Sequence, residues 1–324
     1  MRLTSLPQRF ARQAWYWLLI LGLAIIVALP FVVDISWVLL VTEFAILVLY
    51  AMAYNLTLGV TGMLSFGHGG LFGAGAYILA IAMIKGDIPF PYAFLAAPIL
   101  TAFITFVIGW FCIRLTGIYF AILTLAFGQL IWATIWKMRT ITGGDDGLTG
   151  LQVPSVMASP TNQYFCILAI VILALLLIRI IVDSPFGFTL KTIRENQTRA
   201  QSIGINVKRY QLLAFTTSGF FTGLAGALFA ILIRGAFVEF ATVARAFEPM
   251  FAGILGGMHV FWGPAFGAGV LLSLDKFIGA YTEYWPLVAG GILILLVLFL
   301  PEGVVGRLQS MREARAQRLN QSSA

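Results

Sequence analysis

The groups able to do chemistry in this sequence are few, and they stand alone or in pairs inside apolar surroundings. Glu43 sits within VLLVTEFAILVLY, and Asn55, Ser65 and His68 gather around a glycine-rich stretch. Arg245 and Glu248, three residues apart, can pair on one helix face. Asp275 and Lys276 are adjacent and can neutralise each other or sit at a membrane interface. A charge at the centre of a bilayer costs about 2.5–3.5 kcal/mol on insertion scales, so each such group needs a partner or a task. For Glu43 two tasks stay open, a structural hydrogen bond to a neighbouring helix and a foothold on a solute path. His68 reads first as a packed, hydrogen-bonded residue. Its only companion is His259, and no third metal ligand stands near either. No proton relay is evident.

Motifs for bond-making chemistry are missing: there is no HExxH, no GxSxG and no GxxxxGK[ST]. Without a phosphate-binding loop of its own, the chain is not expected to hydrolyse ATP. Cys112 and Cys166 lie in apolar runs with no CxxC, and read as small hydrophobes.

The elements that must hold these groups are membrane spans. Of 324 residues, 60% are hydrophobic and only 10% charged, against about 25% charged in a soluble protein. Mean hydropathy is +0.96. Apolar runs long enough for a hydrocarbon core of about 30 Å recur along the chain. The expected class is all-α, a polytopic membrane protein, because helices satisfy their backbone polar groups internally. The short alternating segments of a barrel are absent. Ten candidate spans cover about 15–33, 36–57, 66–84, 92–113, 117–137, 163–182, 210–233, 243–260, 264–281 and 285–300. Arg2, Arg9 and Arg12 precede an apolar run as in a signal peptide, but no small-residue cleavage site follows, so the run counts as a first span.

The net charge of +7 does not point to nucleic acid, because the basic residues track one membrane side. With the N-terminus cytoplasmic, fourteen of the twenty Lys and Arg fall inside. Both termini are therefore expected in the cytoplasm: a segment 1–14, a transmembrane domain 15–306 and a basic tail 307–324. Lipid is an expected partner, and nucleic acid is not.

One polar interlude, PFGFTLKTIRENQTRAQSIGINVKR at 185–209, falls on the cytoplasmic side. Ser184 can cap a helix with Pro185 at its first position, Gly204 suits its stop, and Asn206 can cap the next helix. Leu190, Ile193, Ala200 and Gly204 fall near one face, with Lys191, Arg194, Glu195, Thr198 and Arg199 on the other. Such a helix lies on the membrane surface or docks into a partner.

The chain also repeats itself. GVTGMLSFGHGGLFGAG at 59–75 aligns without gaps on GILGGMHVFWGPAFGAG at 253–269, with seven matches in seventeen positions. Glycine-interrupted segments in matching positions point toward the pathway of a transporter. Gly62, Gly69, Gly256, Gly257 and Gly263 join Glu43, Asn55, Ser65 and His68 as pathway candidates. Whether these stretches cross fully or re-enter stays open. The pairs Gly69 with Gly73, Gly219 with Gly223, and Gly263 with Gly267 also fit close helix packing.

Six motifs in order carry a resemblance: YNLTLGVTGMLSFGHGGLFGAGAY, LTGIYFAILTLAFGQLI, TGGDDGLTG, IRENQTRAQSIGINVKRYQLLAF, FEPMFAGILGGMHVFWGPAFGA and LFLPEGVVG. From about Leu40 to Gly306 the chain resembles the permease subunits of branched-chain amino acid ABC transporters, specifically the Liv M-type component. The resemblance implies a pore shared with a second permease. It implies two cytoplasmic ATPases that carry ATP and Mg, so that this chain binds no cofactor, and a periplasmic binding protein that delivers substrate. It implies the bacterial inner membrane. Arg194, Glu195, Asn196, Ala200, Gly204 and Ile205 correspond to the segment that couples to the ATPase. Relatives of the family also move urea, short amides or aromatic and dicarboxylic acids. Asp145 and Asp146 depart from the Asn or Ser associated with that turn, and aspartate among glycines also fits a plain turn. The rival of another class is an ion-coupled secondary transporter, which would make Glu43 or Asp275 essential.

Overall fold

The computed structural model describes residues 30–279 without interruption and, beyond them, 284, 287, 288, 290–292, 294 and 303–307. The expected segment 1–14, most of the spans 15–33 and 285–300, and nearly all of the tail 307–324 lie outside the described residues. Helix α1, Ile35–Asn55, continues through a π-helical turn, Leu56–Val60. There follow α2 (His68–Ile84), α3 (Phe90–Cys112), α4 (Ile118–Lys137), α5 (Pro160–Asp183), α6 (Pro185–Glu195) and α7 (Gln197–Ser202). Then come α8 (Val207–Ile233), α9 (Val243–Gly256) and α10 (Gly263–Gly279). Strands β1 (Leu148–Thr149) and β2 (Gly235–Ala236) form a two-residue antiparallel pair. The described chain is all-α in class, and five stretches are long and apolar enough to cross a membrane: Ile35–Val60, α3, α4, α5 and α8.

Helix α8 is the axis of the bundle. It packs chiefly against α3, α2 and α1, and its stretch from Phe221 to Ile231 is buried throughout. Small residues permit this. Gly219 and Gly223 face the side chains of Thr105 and Thr101 on α3, and Gly226 meets the carbonyl of Phe72 on α2. Gly69 lies against Thr242 and Ala246, Gly73 against Ala241, and Gly267 against Ala252. All three GxxxG pairs therefore serve close helix approach, Gly219 and Gly223 against threonine side chains and the other two pairs against backbone, which in lipid supplies the van der Waals contact that holds helices together. Phe72, fully buried, meets Tyr50, Phe229 and Phe240 at ring separations of 4.8, 5.6 and 6.4 Å.

Two of the three expected spans in the glycine-rich stretches are shorter than expected. The stretch 66–84 is helical only from His68, and its 17 residues reach about 25 Å at about 1.5 Å per residue. The span 243–260 ends at Gly256, and its 14 residues reach only about 21 Å, short of a crossing. The span 264–281 is helical from Gly263 through Gly279, the last residue of the continuously described stretch. The cause is local. Phe237 and Thr242 are extended, Thr242 caps α9 by accepting from the Arg245 amide, and Gly257 at φ +103° stops the helix. Ala241 and Thr242 lie alongside Gly73 and Gly69, so α9 begins opposite the foot of α2. Non-helical backbone at such a depth is tolerated where protein covers it, and Val238, Phe240 and Ala241 are buried. The break between the expected spans 243–260 and 264–281 is the turn 257–262. Each glycine-rich stretch is thus a helix end, a turn and a new helix, and the new helices start at His68 and Gly263, one position apart in the alignment.

The interlude 185–209 is two helices rather than one. Ser184 accepts from the Gly187 amide and Asn206 from the Arg209 amide, so both caps form as their residue types require. Asn196 breaks the run between them. Its backbone is extended at φ −160°, and its side chain accepts from the Arg199 amide, which starts α7. Leu190, Ile193 and Ala200 are buried as the face predicted, whereas Gly204 is exposed in the following turn.

Candidate coupling and translocation site

Arg194 is the joint of the site. Its helix, α6, follows α5 after a single capping residue, and this short connection fixes its direction. Arg194 was expected on the open polar face, but it is half-buried and turned inward. Its Nη1 donates to the carbonyl of Gly59 and lies 3.1 Å from Nδ1 of His259. The first acceptor belongs to the first glycine-rich stretch and the second to the other. Gly62, at φ +77°, lets the chain pass under Arg194, whose Cγ would lie 2.9 Å from an added Cβ. Since an arginine only donates, His259 accepts through Nδ1 and carries its proton on Nε2. Burial, and then the neighbouring guanidinium, hold the His259 pKa below its ordinary value.

A cavity of about 180 Å³ opens beside this contact, bounded among others by Asn55, Gly59, Arg179, Lys191, Arg194 and His259. The Asn55 side-chain oxygen is buried without a hydrogen-bond partner among the described residues. Arg179 pairs with Asp183 at 2.5 Å and lies 4.6 Å from the centre of the Phe261 ring. The turn 257–262 is thereby held by two arginines, one at the end of α5 and one in α6.

Glu195, Asn196, Gln197, Thr198 and Arg199 are exposed around the α6–α7 break, and Ile205 is half-buried. Two apolar side chains that sequence reasoning passed over stand among them. Phe188 is 60% and Ile203 68% exposed. The signal was available, because both lie off the Leu190, Ile193 and Ala200 face.

Ser65 and His68 come together as expected, in a buried hydrogen-bonded chain with Ser218. The Ser218 hydroxyl donates to the Ala53 carbonyl at 2.6 Å, so it accepts from Nε2–H of His68 at 2.8 Å. Nδ1 of His68 then accepts from the Ser65 hydroxyl at 3.1 Å. Both ring nitrogens are spent, and the ring is fully buried against Tyr54 and Phe215. His68 is a rivet joining the foot of α2 to α8 and α1. Gly69 lies against α9, and Gly256 and Gly257 contact Gly263.

Glu43 belongs to a separate cluster between α1, α9 and α10. It pairs with Lys276 at 3.1 Å, and Asp275 stands 3.8 Å from the same ammonium. Arg245 and Glu248 pair at 2.8 Å, as their spacing predicted. Asp145 and Asp146 are exposed in a 3₁₀ turn among glycines. Among the described residues no three His, Cys, Asp or Glu side chains are grouped to hold a metal.

A family model described as "Branched-chain amino acid transport system / permease component" matches residues 36–297. The chain belongs to that permease family. The match runs from α1 past α10 and so includes Arg194, both glycine-rich stretches and the charged cluster. The High-affinity branched-chain amino acid transport system permease protein LivM of Escherichia coli is 28% identical over 87% of this chain and 73% of its own length. The LivH protein of Salmonella typhimurium, whose name also describes a branched-chain amino acid transport permease, is 27% identical over 80% of this chain and 91% of its own. A probable LivM of Methanocaldococcus jannaschii is 25% identical over 75% and 78%. No solved structure matches. Membership makes this chain a multi-pass membrane transport permease, a class that in general is not an enzyme.

Proposed function

We propose that the chain is the permease subunit of an ABC importer for branched-chain amino acids. It sits in the bacterial inner membrane with both termini cytoplasmic and shares its pathway with a second permease. A periplasmic binding protein delivers the solute, and two cytoplasmic ATPases, which carry ATP and Mg, supply the drive.

One observation carries this reading. The α6–α7 pair presents Glu195, Phe188 and Ile203 outward, while Arg194 of the same pair holds Gly59 and His259. An exposed surface of mixed charge and apolar character suits a protein partner. A push on that surface acts through Arg194 on both glycine-rich turns at once. Alternating access then follows from differential stability of two packings: when the ATPases close, α6 moves, the two turns shift with it, and α2 and α10, which start at those turns, tilt as rigid bodies. The helices carry the motion, and the glycines absorb it.

The test is a mild-detergent pull-down of the tagged chain, wild type beside Glu195→Arg, with mass spectrometry of the companions. The expected result is an ATPase and a second permease with the wild type, and loss of the ATPase alone with the variant. A wild-type chain that arrives alone, with transport collapsing on an ionophore, would make the ion-coupled reading correct. Uptake of labelled leucine, urea and a dicarboxylate by the assembled system decides the cargo.

A further inference from the structure

The cluster around Glu43 encloses a cavity of about 280 Å³ between α1, α9 and α10, near the lower end of the ~300–1,000 Å³ common for small-molecule sites. One end is charged, with Glu43, Arg245, Glu248 and Asp275 in its wall. The rest is apolar, with Leu47, Phe247, Phe251, Leu271 and Leu272. None of these charges is explained by the coupling joint, which lies at the other end of α9.

The charged end is built unevenly. Arg245 is clamped between two rings, 4.7 Å from the centre of Phe72 and 4.5 Å from that of Phe229. The Tyr50 hydroxyl donates to the Arg245 carbonyl at 3.0 Å, which fixes the backbone as well. Of its five N–H donors, one reaches Glu248, and the buried Nε–H has no acceptor among the described residues. Lys276, meanwhile, is shared by Glu43 and Asp275, and the charges of both reach Glu248. The described residues of the cluster thus set three carboxylates against two cations. Charges withdrawn from water are stable when they are paired, and this half-buried cluster is short of a cation while its arginine has donors to spare.

We infer that this cavity is a membrane-embedded binding site for an apolar α-amino acid zwitterion in transit. The ligand ammonium supplies the missing positive charge among Glu43, Glu248 and Asp275. Its carboxylate takes the spare donors of Arg245, and its side chain lies on Phe247, Phe251 and the leucines. This rests on the importer reading and adds that the permease itself reads the charged ends of the solute. Urea and simple amides bring no ammonium, and a dicarboxylate is repelled by three acids, so neither fits.

The test uses the complete complex, this chain with its partner permease and ATPases, in lipid nanodiscs without binding protein. The probe is tritiated L-leucine, with 3-methylbutylamine, 4-methylpentanoate and urea as competitors. Saturable leucine binding is expected, displaced by the amine well before the carboxylate and not by urea. Glu248→Gln should weaken leucine binding by about 30-fold or more, the scale for removing one partner of a buried charge pair. Asp146→Asn in the outer turn should not change it. Should Glu248→Gln fail to assemble, Asp275→Asn, which is half-exposed, carries the same prediction. No saturable binding by the wild type overturns the inference, as does leucine binding unaltered by both variants in complexes that retain their ATPases; the importer reading then stands. Retention of ²²Na⁺ in place of leucine, lost with the same variants, overturns it in favour of an ion site. A chain that brings down no ATPase removes the importer reading itself.

Discussion

Arg194 and His259 meet at 3.1 Å across 65 positions of sequence, and the same guanidinium nitrogen holds the Gly59 carbonyl. One side chain of the surface helix therefore touches the turn of each glycine-rich stretch. The relationship makes the α6 helix a lever with two load points.

Replacing that lever separates docking from coupling. Arg194→Ala leaves the exposed Glu195 surface intact, so the ATPases should still co-purify. Transport should fall by about tenfold, the effect of losing about 1.4 kcal/mol between the two packings, while ATP hydrolysis continues. Arg194→Lys keeps one contact but not the geometry of a planar fork, and should fall between. Parallel assays of uptake and phosphate release in proteoliposomes check this.

The His259 contact is sensitive to acid in a defined direction. His259 accepts only when neutral, and its pKa in the folded protein is held below the ordinary value of about 6.5 by burial and by Arg194. A depressed pKa means that the contact contributes fully above the ordinary value and is lost as pH falls through the lowered one. Coupling should therefore be flat from pH 8 to about 6.5 and decline at lower cytoplasmic-side pH. His259→Gln, which offers an acceptor that does not titrate in this range, should flatten the profile. Uptake at stepped internal pH in proteoliposomes is the measurement.

The His68 rivet is structural, and its removal should cost stability before function. His68→Ala empties a fully buried ring site and leaves Ser65 and Ser218 short of partners, worth about 2–5 kcal/mol in sum. Ser218→Ala strands one ring nitrogen and should cost about 1–3 kcal/mol. Tm in detergent should fall in that order, with residual folded protein still assembling with its partners.

The helical class, the caps at Ser184 and Asn206 and the pairing of Arg245 with Glu248 were legible in the sequence because each is a local rule. A cap needs two or three residues, and an i, i+3 pair needs one turn. The inward turn of Arg194 was not legible, because it depends on where the turns 61–67 and 257–262 come to rest. Periodicity assigns Arg194 to a polar face, and only the tertiary structure shows that the Gly59 carbonyl and the His259 ring lie beside it. The short α9 was hidden for a similar reason. Its apolar composition continues past Gly256 to Val260, and hydropathy does not register the stop at Gly257. Glu43 reads as a lone carboxylate, and its partner Lys276 lies two hundred and more positions away.

The matched positions Gly59 and Gly253 should respond differently to the same change. An added Cβ at Gly59 would collide with the Met258 carbonyl and the Asn55 side chain, both beside the joint. At Gly253 the nearest atom is Leu58 Cδ2 at 4.0 Å. Gly59→Ala must displace backbone, and overpacking of that kind costs about 1–3 kcal/mol. It should also loosen the Arg194 contact and reduce coupled transport. Gly253→Ala sits in the last turns of α9 with room to spare, and should stabilise that helix by about 0.5–1 kcal/mol. Paired Tm and uptake measurements read the difference. Equal damage from both would mean that the two stretches work as equivalent halves, whereas the expected asymmetry means that the first is the bearing and the second the load it moves.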